Sequence, residues 1–506
     1  MALRKTWAVA LVGVDGVLVE VEADVRGGGL PSVQLLGLPD SALQESKNRV
    51  RSAIENCREQ WPATCVTLAL SPAAVPKTGT SFDLALACAV LAGAEHVPPQ
   101  RLAGTVLFGE LALDGRIRHA DGLLPALVAA REAGVRCAVV PAAGLAEAAL
   151  VEGMDVRGAE HLSDVIAWLR DLAELERCPA PNQQVPPSVP PADLADVRGQ
   201  PEARFALEVA AAGGHHLLMV GPPGTGKSML AKCLCGLLPE LTGQDALEAT
   251  TIRSVAGDLR SDPELVRTPP FVAPHASASV PALIGGGSGM AKPGAISRAH
   301  RGVLLLDEAC ELGTQRLEAL RTALEEGEIR LARRDGTLRY PARFQLVLAT
   351  NPCPCAPARE IDCQCPPQAR RRYLGKLSGP LLDRVDLRVH MRPITAFALR
   401  GGAEPETTAA VRERVARARI AAAARWSEHG WRTNTEVPGP VLRRDFALPP
   451  RETALLDRAL ESGAVTARGA DRCLRVAWTL ADLAGADRPD REHVATALDY
   501  RDRRAV

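Results

Sequence analysis

The spacing of apolar positions along this chain changes character three times. In the first 175 residues, short alternating runs (TWAVALVGV, LVEVEADV, CVTLAL, CAVVP) interleave with stretches of helical period (DSALQESKNRVRSAIEN, LLPALVAAREAG). That mixture predicts a compact α/β or α+β domain. A proline-rich, polar stretch beginning ERCPAPNQQVPPSVPP then breaks the periodicity and reads as a semi-rigid linker over 176–195. Beyond it, at 196–400, apolar runs end in polar punctuation: His216-Leu217-Leu218-Met219-Val220 before a glycine-rich turn, GVLLLDEA, and FQLVLATN. Strand, turn, helix and further buried strands in this order fit a doubly wound parallel sheet that binds its ligand at the strand C-termini. From 401 to 506 the pattern is helical, with TTAAVRERVARARIAAAARWSEHG, RETALLDRALESG, GADRCLRVAWTLADLAGA and REHVATALD separated by Gly/Pro breaks. These predict a small helical lid.

At 506 residues the chain exceeds one ordinary core, consistent with several domains that fold without covalent staples. No apolar run reaches the ~18 residues that a membrane-spanning helix needs, and Met1 to Ala10 lacks the long apolar segment of a secretory signal. A cytoplasmic location without a membrane partner is therefore expected, and the 13 cysteines read as reduced thiols rather than a disulfide framework. The formal net charge is zero, so nothing global announces nucleic acid. Between Ile329 and Lys376, however, ten basic residues face three acidic ones, a local surplus of seven positive charges suited to a polyanion.

The candidate chemistry begins at Gly221-Pro222-Pro223-Gly224-Thr225-Gly226-Lys227-Ser228, a G-x-x-x-x-G-K-[ST] phosphate-binding loop. Glycines let backbone N–H groups close around phosphate oxygens, Lys227 neutralises β/γ charge, and Ser228 is a Mg²⁺ ligand. ATP and Mg²⁺ are the cofactors implied. Asp307 and Glu308 end the run GVLLLDEA; the first is expected to hold the metal through water and the second to activate the attacking water. Asn351 ends FQLVLATN, placed to orient water or the γ-phosphate.

DLADVRGQ, LEVAAAGGHHLLMVGPPGTGKSMLA, GAISRAHRGVLLLDEA, LATNPCPC, LSGPLLDRVDL and TARGADRCLRVAWTLADL resemble the magnesium-chelatase-like AAA+ ATPases of the ComM/YifB family. GVDGVLVEVEADV, GLPSVQLLGLPDSALQESKNRVRSAI and LFGELALDGRIR extend the resemblance over essentially the whole chain. It implies an α/β AAA+ core with a C-terminal helical lid, preceded by a ribosomal-S5-like, Lon-protease-like domain. It also implies a homo-oligomeric ring, generally a hexamer, with ATP between subunits. By motif position Arg384 resembles an arginine finger completing the neighbour's site, and Arg468 resembles the sensor-2 arginine of the lid. The family further implies a DNA motor, with helicase or branch-migration activity in natural transformation and recombination, and recombination proteins as partners. A protein-remodelling or chelatase-like ATPase is the alternative.

Three segments bear on substrates and metals. Glu328 to Phe344 has alternating arms around Asp335-Gly336, a hairpin signal; in related helicases a hairpin at this place tracks nucleic acid, which makes Arg333 and Arg334 candidate phosphate contacts. Thr268 to Pro293 reads as a long loop and resembles the family's helix-2 insertion, although His275-Ala276 stands where the family usually has two histidines. Cys353, Cys355, Cys363 and Cys365 form a C-x-C…C-x-C cluster, either four ligands of a structural Zn²⁺ or a loop of reduced thiols. In the first domain PKTGTSFD resembles the nucleophile segment of Lon-type proteases, with Ser81 at the serine position. Leu124 occupies the lysine position, and Lys77 has no evident reason to replace it. A serine without an adjacent base is a poor nucleophile, so a shared fold without peptidase activity is expected.

Overall fold

The computed structural model describes residues 2–26, 31–37, 40–178, 192–259, 263–287, 291–333, 336–395 and 405–501. Two separate sheets organise it. The first has eight strands in the spatial order Glu176–Arg177, Asp155–Ala159, Cys137–Pro141, Thr105–Leu107, Ala2–Val12, Asp15–Arg26, Cys65–Ser71 and Ser32–Leu36. Its spine is the long antiparallel pair Ala2–Val12 with Asp15–Arg26, whose alternation buries Ala8, Ala10, Val19, Val21 and Ala23 on a common core. Helix Asp83–Gly93 is apolar all round and buried along its whole length, as a helix at the centre of a domain must be. Helix Leu123–Glu132 belongs to a second cluster with Val9, Val106 and Ala138. The edge strand Glu176–Arg177 pairs antiparallel with Asp155–Ala159, so regular structure runs two residues into the segment read as linker.

The second sheet is five-stranded and wholly parallel, in the order Phe271–Val272, Val303–Leu306, Gln345–Thr350, Leu217–Val220, Leu387–His390. The three central strands are buried at every position, which explains why their sequences are apolar without alternation. Both edges went unforeseen. Phe271–Val272 lies inside the segment read as a loop, too short and too closely flanked by prolines to show periodicity. The rest of that segment carries a short helix, Val280–Ile284, and a two-residue ladder, Gly285–Gly286 with Lys292–Pro293.

The lid comprises helices Thr408–Arg425, Pro450–Glu461, Ala467–Ala484 and Arg491–Asp499. Its hydrophobic cluster is continuous with that of the sheet, joining Leu217 and Val347 to Trp426 and Trp478. Trp426 is fully buried, meets Phe446 and Trp478 edge-on at centroid distances of 4.6 and 5.7 Å, and donates its indole N–H to Asn434. No helix among the described residues is long and apolar enough to cross a membrane.

The two domains meet through the apolar cluster that Leu259 shares with Leu123 and Leu127 and through polar groups beside it. The Gly122 and Leu124 N–H groups open helix Leu123–Glu132; the first donates to the Ser254 carbonyl at 3.2 Å, and the second to Glu147 Oε1 at 2.9 Å. Ser254 Oγ, on helix Gly243–Ala256, donates to the same carboxylate at 2.6 Å.

Asp386, at the base of the last strand, is the brace between sheet and lid. It has no exposed surface, accepts from Arg472 on helix Ala467–Ala484 at 2.5 Å, and accepts the His216 N–H at 2.9 Å. Burial alone would raise its pKa, but the Arg472 guanidinium and His215 outweigh it and hold the carboxyl well below its ordinary value. A depressed folded pKa contributes stability that is complete above the ordinary value of 3.8 and is lost as pH falls through the folded one. We expect Asp386→Asn to cost about 3–5 kcal/mol at neutral pH, because the fully buried carboxylate is lost and the mostly covered Arg472 guanidinium loses its charged partner. Urea unfolding followed by the lid tryptophans checks this; the gap from the parent should narrow only in strong acid, and an unchanged midpoint at neutral pH would remove Asp386 as a brace.

Candidate functional site

The sheet order determines the site. Strand Gln345–Thr350 comes after Val303–Leu306 in sequence yet lies between it and Leu217–Val220, with Val220 opposite Thr350 and Leu306 opposite Leu348. The residues that follow these three strands, Gly221, Asp307 and Asn351, therefore leave the sheet at one edge. They border a cleft of about 410 Å³ lined by Pro223 to Met229, Asp307, Glu308, Thr350 and Asn351.

The loop approaches the sheet so closely at Gly221 that an added Cβ would lie 2.5 Å from the Met391 carbonyl oxygen, and Gly226 turns into helix Lys227–Leu237 at φ +90°. Lys227 is buried, with its Nζ donating to the carbonyls of Gly221 at 2.6 Å and Pro222 at 2.8 Å and to Asn351 Oδ1 at 3.2 Å. All three acceptors are neutral. Burial lowers the pKa of this ammonium while Asp307 and Glu308 raise it, so its surroundings favour an added anion. A triphosphate fits this cradle: a buried cation whose direct hydrogen bonds go to neutral acceptors, loop N–H groups and the N-terminus of an eleven-residue helix converge on one cleft.

Ser228 Oγ donates to Asp307, and Asp307 in turn accepts the Glu308 N–H at 2.9 Å. A hydroxyl and a carboxylate in contact at the mouth of the cleft are oxygen donors of the kind Mg²⁺ takes, and bound there it would neutralise phosphate charge. Glu308 is exposed and adopts the left-handed region at φ 49°, ψ 44°, which for a non-glycine residue costs on the order of 1–3 kcal/mol. Strain at this residue was not visible in the sequence. It turns the chain sharply between Asp307 and the short helix Ala309–Leu312 and puts Glu308 among the residues that line the cleft.

Neither candidate arginine lines this cleft among the described residues. Arg384 is 6% exposed, donates to the Pro380 carbonyl at 2.5 Å and is ion-paired with Glu325. Burial lowers its pKa, as do Arg321, Arg468 and Arg472, so four guanidinium groups share one neighbourhood. Arg468 stands exposed in the first turn of helix Ala467–Ala484. The hairpin is present as Glu328–Arg333 paired with Gly336–Pro341, and Arg333 donates to the Gly287 carbonyl at 2.7 Å. Arg334 and Asp335 lie outside the described residues. His275 is exposed and bonds Ser277 at 2.8 Å.

In the first domain Ser81 is half-buried, and Leu124 is core, with its N–H committed to Glu147. Lys77 is buried, its pKa lowered by desolvation, and it donates to the Pro72 carbonyl. The sulfurs of Cys353, Cys355, Cys363 and Cys365 all lie within 4.8 Å of one another. Burial pushes the Cys353 thiol up to about 12, while the Cys365 N–H brings Cys363 down to about 6.

A parallel sheet with the strand that ends at Asn351 inserted between phosphate loop and acidic pair, closed by a helical lid, defines a P-loop ATPase of the AAA+ class. Comparison with known proteins agrees. Family models described as magnesium chelatase, subunit ChlI; subunit ChlI of Mg-chelatase; and its C-terminal region match residues 193–399, 21–144 and 405–501. An uncharacterized protein of Mycobacterium tuberculosis is 58% identical over 501 residues, 99% of each chain. Competence protein ComM of Haemophilus influenzae is 38% identical over 509 residues, 99% of this chain and 98% of its own. The magnesium-chelatase 38 kDa subunit of Rhodobacter capsulatus is 30% identical over 336 residues, 60% of this chain and 86% of its own. The chain belongs to the ComM/YifB family of magnesium-chelatase-like AAA+ ATPases.

If Glu308 is the base, Glu308→Gln should keep nucleotide affinity and lower turnover by about 10²–10⁴-fold. Titration with a fluorescent ATP analogue and steady-state phosphate release measure the two separately. Parental turnover in this variant would take Glu308 out of the chemistry.

Proposed function

We propose that the protein is a ring-forming ATPase motor that acts on DNA, hydrolysing ATP at subunit interfaces and moving its hairpins along a nucleic-acid strand. The observation that carries this reading is a covalent one. Strand Gly336–Pro341 of the hairpin leads through three residues into strand Gln345–Thr350, which ends at Asn351 against Lys227. A shift of Asn351 on loss of the γ-phosphate therefore has a direct path to the hairpin. Arg333, with Arg334 beside it in sequence, supplies backbone-phosphate contacts within the basic segment 329–376. The relative named as a competence protein supports natural transformation as the process served, and recombination proteins are the partners this reading implies.

In this reading the assembly is a homohexamer, and Arg384 reaches the triphosphate of the adjacent subunit once assembly draws it away from Glu325. Arg468 contacts the nucleotide from the lid. A second reading, a chelatase-like or protein-remodelling ATPase indifferent to DNA, is favoured by the likeness to the magnesium-chelatase subunit.

ATP turnover with and without single-stranded or forked DNA separates the two readings. We expect stimulation by DNA, lost in Arg333→Ala/Arg334→Ala, with the salt dependence of binding reduced by roughly 0.7 in log–log slope per phosphate contact removed. Absence of stimulation, or stimulation untouched by the double substitution, would favour the chelatase-like reading. Mixing Arg384→Ala subunits with Lys227→Ala subunits should restore part of the activity that each lacks alone. No recovery would leave Arg384 without a role across the interface.

A further inference from the structure

The connection from Asn351 to helix Pro367–Leu374 lacks an apolar interior. Of residues 352–366, Cys353 is the one buried position among the described residues, and Ile361 is 86% exposed. Its own hydrogen bonds are sparse: the Ala356 N–H donates to the Cys353 carbonyl at 3.3 Å, the Asp362 N–H to the Arg359 carbonyl at 3.0 Å, and Arg359 pairs with Asp362 at the surface. Ordering a residue costs about 1–2 kcal/mol of backbone entropy, and so few contacts do not offset that over such a length. The convergence at its centre is of sulfur.

Cys353 and Cys355 lie 3.4 Å apart, Cys355 and Cys363 3.5 Å, and Cys363 and Cys353 3.4 Å, with Cys365 completing a group within 4.8 Å. Disulfide sulfurs sit at about 2.05 Å, far closer. Tetrahedral Zn²⁺ with bonds of about 2.3 Å holds its sulfurs about 3.8 Å apart, close to the spacing here. The surroundings suit thiolates. The N–H groups of Ala356, Cys365 and Cys355 are directed at the sulfurs of Cys353, Cys363 and Cys365, and the Arg370 guanidinium bonds Cys363. Four thiolates around one divalent ion leave two net negative charges, and a guanidinium in contact offsets part of that.

We propose that Cys353, Cys355, Cys363 and Cys365 bind a single Zn²⁺ as a closed tetrathiolate that braces the chain between Asn351 and the helix carrying Arg370, Arg371 and Arg372. With no open coordination position the ion is structural. Tyr373 anchors that helix in the core beneath the sheet, so the metal fixes the span between the phosphate-sensing strand end and an exposed basic helix. Arg370 is committed to the metal cluster, while Arg371 and Arg372 remain at the surface. The consequence for coupling, though not the metal site itself, rests on the motor reading above.

The test uses the full chain, purified without added metal and analysed by mass spectrometry for bound elements. We expect zinc at one equivalent per chain in the parent and background zinc in Cys355→Ser/Cys365→Ser, positions at or near the surface whose replacement spares the buried Cys353. Parent protein stripped under reducing conditions and titrated with Co²⁺ alone should show the intense visible bands and near-ultraviolet charge transfer of tetrahedral thiolate ligation. Nucleotide binding should survive in the variant while DNA-stimulated turnover falls. Zinc equal in parent and variant, iron in place of zinc, or a pale octahedral Co²⁺ spectrum would each overturn the site. Should the double variant fail to fold, the Co²⁺ spectrum of the parent decides. Metal ligation without loss of DNA stimulation in the variant would keep the site and refute the coupling.

Discussion

The hydrogen bond from Lys227 to Asn351 exists because one strand is inserted out of sequence order between two others, and the rest of the molecule is arranged around that insertion. Parallel pairing of Val220 with Thr350 and of Leu306 with Leu348 aligns three strand ends, and side chains from three distant stretches of sequence converge without any loop having to reach. The buried ammonium makes the arrangement one that invites a ligand. Its hydrogen-bond acceptors are neutral, so a phosphate in contact would add to the partial compensation that Asp307 and Glu308 give from a distance. Everything that follows Asn351, and the hairpin that precedes it, is attached to this point of charge.

Arg384 shows how the same physics can make the site depend on assembly. Its guanidinium is nearly covered and spent on Glu325 and the Pro380 carbonyl, near Arg321, Arg468 and Arg472, whose charge Glu318 partly offsets. Glu325 is itself more than half exposed, which leaves their pair open to exchange when another surface arrives. In the ring reading proposed above, a triphosphate presented by a neighbouring subunit would be the anion that draws Arg384 out, and the cost of uncovering it would be met on assembly.

Much of this was legible in the chain because the physics involved is local. Gly221 to Ser228, the apolar runs ending at Asp307-Glu308 and Asn351, and the Trp-bearing lid helices each carry their reason for being within a few residues, and the structure places each on the expected type of element. What escaped depends on distant partners. Phe271–Val272 and Leu387–His390 are strands by virtue of the sheet beside them, not of their own pattern. The positive φ of Glu308 and the burial of Asp386 against Arg472, 86 residues away, are likewise consequences of packing that no window of sequence contains.

The joint between the domains extends the same lesson to the first domain. A lysine at position 124 would bring an ammonium into a fully buried site; Leu124 instead fills the core there and leaves its N–H to Glu147. Ser254, from the helix that follows the phosphate-loop helix, completes that carboxylate's acceptance and ties the nucleotide domain to the same atom. Glu147 is nearly buried and also has His119 Nε2 3.6 Å away, so losing one donor would weaken, but not empty, the set of partners its charge depends on. The position where a peptidase of this fold would keep its base has become part of a rigid polar seam.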